Sequence, residues 1–581
     1  MNQRIRNLAA GFVVSLLVVG SGALEDWFEK SEYSSDAISY LDISKAVSRG
    51  DWTLALTPYW SIGYPMILAA TRWMFPPGPQ GEWTAIHAVN LAIFVATYLS
   101  FLYLLKVAVT YTAMANGAEQ AESGNGLVFA IGTSIFLLWQ LQTGNVSRVS
   151  PDLAVNCIFF LLMAASLRFC LRPSVTTASL MGFLMGIGYV IKAILLPLSS
   201  VVVLVVVLHS FCRLRTDRRS TIAKLTAALP AMAIPALPYV AALSTVAGHF
   251  TLGDSGSLNY AWEVNGLTHW HWQGGPAPFG MPIHPLQLVL KNPPVFQFAE
   301  PFPVTYPPWF NPSYWYEGYR HFFNPANQIY FFKVNLLRFG EIFFNTPHAP
   351  VKAVVSVSLL LASTFLLKDR QIFWGRLIAL WPLYLPSTAA VGIYLLVFTE
   401  PRYLVGFLII LLTTIFLPLF VPTQLLARKN GYALVIVLAA VSAAVLLKSQ
   451  AEVLRAAWQG KSYTSNEQWR IALYLAQSGV RPGEKVAFVR VERGTQSTWA
   501  YLDGLHIVAE IGNQGFSLEN QEKDFELFTG SPEVQQTVFN LFRKAGAVLV
   551  VALDVNGAPQ GSGWERVPET QSWVHRLDGS P

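Results

Sequence analysis

Residues 403–421 read YLVGFLIILLTTIFLPLFV and contain no charged side chain. A helix rises about 1.5 Å per residue, so this stretch can cross the roughly 30 Å hydrocarbon core of a bilayer. Similar apolar runs lie near 8–24, 85–107, 126–141, 153–171, 177–191, 193–212, 222–247, 350–367, 376–398 and 432–447. The chain has 53% hydrophobic and only 13% charged residues, unlike a soluble domain. The sequence therefore predicts an α-helical polytopic membrane protein with about eleven transmembrane helices.

Lysine and arginine residues between the apolar runs indicate the orientation of the chain. They cluster in the connections 4–6, 168–172, 213–219, 368–376 and 428–429. Basic loops stay in the cytoplasm, so we expect a cytoplasmic N-terminus. The first span, with Arg4 and Arg6 before it and Gly20-Ser21-Gly22-Ala23 after it, also resembles a cleavable signal peptide, but we expect it to be retained because its removal would conflict with the pattern of basic loops. The opposite segments, predicted to lie outside, are 25–84, 142–152, 248–349, 399–402 and the tail after 448. The net charge of +6 is then a topology signal, and no nucleic-acid partner is expected.

A candidate catalytic carboxylate follows the first span. The segment 34–43 reads SSDAISYLDI, and its apolar residues recur at helical spacing until Gly50. This pattern predicts an amphipathic helix on the membrane with Asp36 in its first turn. An acid at that position can cap the helix by accepting backbone N–H groups, or it can act as a base at the outer surface. The residue type alone leaves both interpretations open.

The same outer loop is rich in aromatic residues, with YWSIGYP at 59–65. Tyrosine and tryptophan at this density are typical of the headgroup region of a bilayer. Tyr59 and Trp60 are also candidates for stacking on a sugar.

Two further connections contribute charges. The connection 142–152 contains Arg148 and Asp152, and Asp152 either caps the next span or supplies a second acid. Lys192 lies between two apolar runs, and charge at membrane depth is costly enough to make a functional role a serious alternative.

The turn at 400–403 reads EPRY and adds a third cation. Arg402 either extends to the lipid headgroups or, beside Glu400, clamps a lipid-linked phosphate bidentately.

The loop 248–349 contains His269-Trp270-His271-Trp272. Alternating histidines can ligate zinc, but no acid or cysteine accompanies them at ligand spacing. The three cysteines lie in or beside apolar runs, which gives no support to a disulfide framework. We therefore expect this loop to cover an aromatic ligand cavity. No cofactor is expected, and a divalent cation remains the alternative.

The tail after 448 has the composition of a water-soluble unit. Helical periodicity at 466–477 and 532–544 and strand patterns at 486–489, 507–511 and 547–553 predict a small α/β domain. The chain is thus divided into a transmembrane domain, 1–447, and an extracytoplasmic α/β domain, 448–581.

Taken in chain order, four features resemble the GT-C superfamily of integral-membrane glycosyltransferases over roughly residues 1–420. They are Asp36 followed by Tyr40, the segment 59–65, the pair Pro151-Asp152, and Glu400-Pro401-Arg402-Tyr403. The sequence is most similar to the bacterial branch with protein O-mannosyltransferases and the lipid A aminoarabinose transferase. The resemblance implies a protein of the bacterial cytoplasmic membrane that transfers a sugar from a polyprenyl-phosphate carrier, outside the membrane and with inversion.

By the same resemblance, Asp36 and Asp152 match catalytic acids and Arg402 matches the residue that contacts carrier phosphate. We expect Lys192 or Arg148 to assist Arg402, since leaving-group charge must be stabilised, and Asp36 to accept the acceptor's proton. Many relatives have two adjacent acids where this chain has Asp36-Ala37. The acceptor class, whether lipid, glycan or protein, is therefore open. The alternatives are a transporter or flippase of a lipid-linked saccharide, which often shows repeated halves not found here, and a non-catalytic scaffold.

Overall fold

The computed structural model describes residues 3–28, 34–75, 78–115, 126–144, 146–213, 218–275, 278–344, 370–421, 466–490, 497–512, 531–553, 559 and 563–577, with scattered positions between 437 and 459. Most of the described chain before residue 421 is helical, and one seven-stranded sheet combines the strands of the tail with two strands from 287–297.

The elements follow in chain order. They are α1 (Gln3–Phe28), α2 (Ser35–Arg49), α3 (Trp52–Ala55), α4 (Gly63–Arg72), α5 (Pro79–Ala115), α6 (Gly126–Trp139), α7 (Asp152–Leu171), α8 (Val175–Ile191), α9 (Leu195–Arg213), α10 (Arg218–Leu225), α11 (Ala228–Ala247), α12 (Ser255–Glu263), β1 (Gln287–Lys291), β2 (Pro294–Gln297), α13 (Pro307–Phe310), α14 (Pro312–Trp315), α15 (Pro325–Phe344), α16 (Arg370–Ala379), α17 (Trp381–Leu396), α18 (Pro401–Phe420), α19 (Glu467–Gln477), β3 (Lys485–Arg490), α20 (Thr498–Leu502), β4 (His506–Ile511), α21 (Pro532–Lys544), β5 (Leu549–Leu553), β6 (Trp564–Arg566) and β7 (Trp573–Arg576).

Several of these helices are long and apolar enough to cross a bilayer. Among the described residues there are five, Gly81–Ala115, Asp152–Leu171, Leu195–Cys212, Arg218–Ala247 and Pro401–Phe420, or six if α16 and α17, bent by 71°, form one span. The multi-pass character is therefore confirmed, whereas the number of about eleven is not. The predicted span 350–367 and most of 432–447 lie outside the described residues.

The helix predicted after the first span is present as α2, and it ends at Gly50, whose φ of 74° suits glycine. Its packing differs from the expectation. All residues from Ala37 to Ser44 are buried, so the helix is covered on every side and does not lie as an amphipathic helix on a membrane surface. Its neighbours include α4 and α13. The periodicity predicted one exposed face, but the small and polar residues Ala37, Ser39 and Ser44 are buried by tertiary contacts.

The predicted outer loop 248–349 contains more regular structure than expected. It contains α12, a β-hairpin, two short helices and, over its last part, α15. The Asn335 amide of α15 donates to the carbonyl oxygens of Leu395 and Val397 at 3.2 and 3.0 Å. The end of this segment is thus fixed beside α17.

The predicted α/β unit is confirmed in its strands and helices. The sheet order is β1-β2-β4-β3-β5-β7-β6, with β3 parallel to β4 and β5 and the other pairs antiparallel. Two of its strands, β1 and β2, come from the loop 248–349, since β2 pairs with β4 through Phe296 and Glu510. The division of the chain at 447/448 stays a prediction, but the sheet draws on both sides of it.

One apolar core unites the first outer loop, the loop 248–349 and one face of this sheet, with members such as Ile43, Trp309 and Phe488. A separate core fills the helix bundle. The segments predicted to lie outside therefore meet at one end of the bundle. Which side of the membrane this end faces stays a prediction.

Candidate active site

A cavity of about 370 Å³ lies where the loops predicted to lie outside meet the ends of the apolar helices. Most of the predicted site residues line it: Asp36, Tyr40, Tyr59, Trp60, Asp152, Lys192, Arg402 and Tyr403. Glu400 and Arg148, the remaining two, form ion pairs next to Arg402. The structure thus brings together side chains that are far apart in sequence, although their roles stay predictions.

Asp36 is not the capping residue of α2. The Ser34 hydroxyl takes that role and accepts the N–H of Ala37 at 3.3 Å. The Asp36 carboxylate instead accepts hydrogen bonds from the Trp309 indole at 3.1 Å and from the Arg402 guanidinium at 3.0 Å. Its side chain is 23% exposed, so the carboxylate is held firmly yet can be reached from the cavity.

Arg402 is the centre of a charged cluster, which consists of Asp36, Arg148, Asp152, Lys192, Glu400 and Arg402. It sits in the first turn of α18 with only 11% of its side chain exposed, which excludes the interpretation that it extends freely to the headgroups. Its Nε lies 2.8 Å from Glu400 Oε1 and 3.7 Å from Asp152 Oδ2, and its Nη2 also donates to the Tyr403 hydroxyl at 3.1 Å. Carboxylates therefore lie beside both the Nε and the Nη2 atoms of the guanidinium.

Asp152 and Lys192 form a second pair beside this cluster. Lys192 Nζ donates to Asp152 Oδ1 at 2.6 Å and lies 4.1 Å from the centre of the Tyr403 ring. The Ser150 hydroxyl donates to the other oxygen of Asp152 at 3.0 Å. Asp152 begins α7 but makes no side-chain cap there, so its carboxylate serves the cluster instead.

Lys192 reaches the cavity because the chain breaks between α8 and α9. The Ser61 hydroxyl accepts the backbone N–H of Ala193 at 3.1 Å and ties the first outer loop to this break. Gly63 allows the close approach: a Cβ there would lie 2.8 Å from the carbonyl oxygen of Val190 and 2.9 Å from Cα of Ile191. Any larger residue would push the loop away from Lys192.

Arg148 completes the cluster as its most exposed member. Its Nη1 lies 3.1 Å from Glu400 Oε1, and 39% of its side chain is exposed. Three acids and three cations therefore balance in and beside the cavity. An anion that enters the cavity can replace the carboxylates as the ion-pair partner of these cations.

Aromatic side chains form another part of the cavity wall. The ring centres of Tyr40 and Trp60 are 5.0 Å apart, and those of Tyr59 and Trp60 are 4.5 Å apart. Burial, reinforced by the charge of Asp36, raises the pKa of the Tyr59 phenol, so it stays a neutral hydroxyl. The wall can offer ring faces and phenol groups to a sugar.

Sequence reasoning missed Trp309. Trp60 Nε1 and the Ser39 hydroxyl donate to its carbonyl oxygen at 3.2 and 3.1 Å, which aims its indole at Asp36. A tryptophan in the segment PPWF of an aromatic-rich loop carries no signal that separates it from its neighbours. Asn259 of α12, whose amide donates to the Tyr59 hydroxyl at 3.3 Å, was also missed, because a single asparagine in a long loop carries no functional signal.

The histidines of the loop serve packing and hydrogen bonding. His269 lies against the Trp262 and Trp309 rings, and burial lowers its pKa to about 4, so its imidazole is neutral at pH 7. His271 pairs with Glu510 of β4 at 2.5 Å. Among the described residues, no group of three or more His, Cys, Asp or Glu side chains is arranged to hold a metal ion.

No protein-family model matches the sequence, and no curated protein is significantly similar to it. Solved structures do match. ArnT from Cupriavidus metallidurans bound to undecaprenyl phosphate has a TM-score of 0.53 and 12% identity, over 99% of this chain and 98% of that one. The apo state of the same enzyme gives 0.53 and 11%, over 99% and 97%. The oligosaccharyltransferase AglB from Archaeoglobus fulgidus gives 0.47 and 11%, over 93% and 69%. The likeness to ArnT shows the fold, and the GT-C fold predicted from the sequence is confirmed.

Proposed function

We propose that this chain, which has the GT-C fold along almost its whole length, is a membrane glycosyltransferase that uses a polyprenyl-phosphate-linked sugar as donor. The observation that carries the proposal is the contact of 3.0 Å between Asp36 and Arg402 in one cavity. A carboxylate that can act as a base and a cation that can bind a phosphate line the same cavity, and transfer from a phosphate leaving group requires both functions, on opposite faces of the sugar. The solved relative of the same fold was crystallised with undecaprenyl phosphate, which supports this donor class.

The reaction is a single displacement. The acceptor hydroxyl oxygen forms a bond to the anomeric carbon while the bond from that carbon to the phosphate oxygen breaks. The hydroxyl proton passes to Asp36, and the leaving phosphate keeps the electron pair. Attack from the face opposite the phosphate inverts the anomeric centre.

The charged cluster fits this sequence of events. A carrier phosphate that binds Arg402 replaces the Asp36 carboxylate as its partner and leaves Asp36 free to accept a proton. Lys192, held by Asp152 at 2.6 Å, and Arg148 supply further positive charge for the developing phosphate dianion. We place Tyr40, Tyr59, Trp60 and Tyr403 around the sugar and assign Glu400 the role of positioning Arg402. We place the site at the outer face of the bacterial cytoplasmic membrane.

The test is a comparison of envelope glycans and lipids by mass spectrometry. Cells that lack the protein are complemented with the wild-type chain or with Asp36→Asn, at matched membrane levels. We expect a defined glycan or glycolipid to disappear without the protein, to return with the wild type and to stay absent with Asp36→Asn. Full restoration by Asp36→Asn would overturn the catalytic proposal and favour a scaffold. Envelope glycans and lipids that are the same with and without the protein would contradict the proposed transfer.

A further inference from the structure

A second opening, here called the outer cleft, lies beside the active-site cavity. It has a volume of about 270 Å³ and runs between the end of α11, the start of α12 and the segment 311–321. Its walls include Ala247, Asp254, Asn311, Ser313 and Tyr314. None of these residues belongs to the charged cluster of the cavity.

The wall between the outer cleft and the cavity is only one backbone thick. Pro58 lines the cleft and Tyr59 lines the cavity, and the same alternation holds for Asp254 and Gly253. Consecutive Cα atoms are about 3.8 Å apart. The backbone N–H of Asp254 donates to the Pro58 carbonyl oxygen at 2.7 Å, which closes the wall. A molecule bound in the cleft therefore lies directly next to the site of transfer.

The chemistry of the outer cleft differs from that of the cavity. Among the described residues that line it, none is lysine or arginine, whereas Asp254 and Glu317 are acids. These two acids disfavour a phosphate or another anion, although His284 lies 3.1 Å from Glu317. The remaining wall offers tyrosine rings, the imidazoles of His249 and His321, and amide and hydroxyl groups.

Two buried polar atoms of residues that line the outer cleft lack a hydrogen-bond partner among the described residues. Within the described part of the chain, neither the Asn311 side-chain oxygen nor the Ser313 hydroxyl has a hydrogen bond, although both atoms are buried. Both residues line the outer cleft. Leaving such groups unsatisfied costs free energy, so both side chains would gain hydrogen bonds by turning toward a hydroxyl-rich ligand in the cleft.

We propose that the outer cleft binds an uncharged saccharide that forms part of the acceptor, and this inference rests on the proposed function. Ring faces such as that of Tyr314 suit the apolar faces of a sugar. Its hydroxyl groups suit the acids, the Asn311 amide and the Ser313 hydroxyl. The cavity, which contains Lys192 and Arg402, takes the phosphate-linked donor, and the outer cleft, which has acids but no lysine or arginine among its described lining residues, takes the uncharged acceptor.

The test measures binding to the full-length chain in lipid nanodiscs by saturation-transfer NMR. The probes are maltotetraose, mannotetraose and chitotetraose for the outer cleft and undecaprenyl phosphate for the cavity. Ala247→Trp fills the cleft from its rim and should lower affinity for the saccharide that binds at least tenfold. Asn311→Ala should lower it about two- to tenfold, the scale of one hydrogen bond. Thr245→Ala, an exposed position on α11 outside the lining, is the matched control.

Binding of undecaprenyl phosphate by both variants as by the wild type would show that the fold is intact, and Asn311→Ala decides the test if Ala247→Trp does not fold. The inference is overturned if a wild-type protein that binds undecaprenyl phosphate binds none of the three saccharides, or if the variants bind them with wild-type affinity. Saccharide binding without undecaprenyl phosphate binding would instead remove the proposed donor and leave the outer cleft as a saccharide site.

Discussion

Asp36 illustrates how one side chain is prepared for a reaction by its partners. The Trp309 indole and the Arg402 guanidinium each occupy one of its oxygens, at 3.1 and 3.0 Å. Since Ser34 caps the helix, the carboxylate is not needed to hold α2 together. Its charge can therefore be removed without removing the helix.

The first prediction concerns Asp36→Asn. We expect transfer to fall by about a hundredfold or more, because the amide keeps the shape of the side chain but cannot accept the acceptor's proton. Thermal stability and binding of undecaprenyl phosphate should change little. Turnover with a carrier-linked sugar and a melting curve of the purified variant are the two measurements. A well-folded Asp36→Asn protein with wild-type turnover would falsify the base assignment.

The second prediction concerns Arg402→Lys. Lysine keeps the charge but loses the planar fork that can bind a phosphate bidentately while it contacts Glu400 and Asp152. We expect affinity for undecaprenyl phosphate to weaken by about 1 to 3 kcal/mol. Turnover should fall further, since leaving-group charge grows in the transition state. Equal binding and turnover in both proteins would return Arg402 to a structural role and make Lys192 the next candidate for the phosphate contact.

At the scale of elements, α2 connects the active site to the sheet domain. Its start carries Asp36, and further along Lys45 Nζ lies 3.3 Å from the ring centre of Tyr501 on α20. Burial lowers the pKa of Lys45 from 10.5 to about 7, against the opposing effect of Asp42. The contact between helix and domain therefore includes a group that titrates near neutral pH.

The third prediction follows from that pKa. Between pH of about 7 and 10.5 the unfolded chain keeps the Lys45 proton that the folded chain has released. Unfolding in this window takes up a proton, so this group makes stability rise with pH and contributes no slope below its folded pKa. Melting temperatures of the wild type and Lys45→Met, measured from pH 6 to 10, should diverge in slope across the window. Parallel curves would mean that Lys45 is solvated in the folded protein.

At the scale of the whole molecule, the segments predicted to lie outside meet at one end of the helix bundle, and the fourth prediction concerns which side that end faces. A reporter active only in the periplasm, fused after Pro581, should be active, because basic residues mark the opposite connections as cytoplasmic. A reporter active only in the cytoplasm serves as the paired control. Its activity in place of the first would move every site residue to the cytoplasmic side.

Much of this arrangement could be predicted from the sequence, for a physical reason. Charges such as Lys192 and Arg402 at the ends of apolar runs are costly, so their positions along the chain are enough to signal function or topology. Trp309 gave no such signal, because a tryptophan among many other aromatic residues carries no charge whose burial would cost free energy and mark its position. The pairing of β2 with β4 was also hidden, since strand register between distant segments depends on tertiary contacts and not on local pattern.

The pairing of β2 with β4 affects the order in which the chain can fold during its synthesis. The β1–β2 hairpin is complete at Gln297, but its partner strand β4 begins only at His506. At translation rates of about 5 to 20 residues per second, the hairpin waits roughly 10 to 40 seconds with an unpaired edge. Open strand edges are templates for aggregation. A chain that is truncated before β4 would leave this edge of β2 unpaired. The last part of the chain therefore protects a loop that is synthesised long before it.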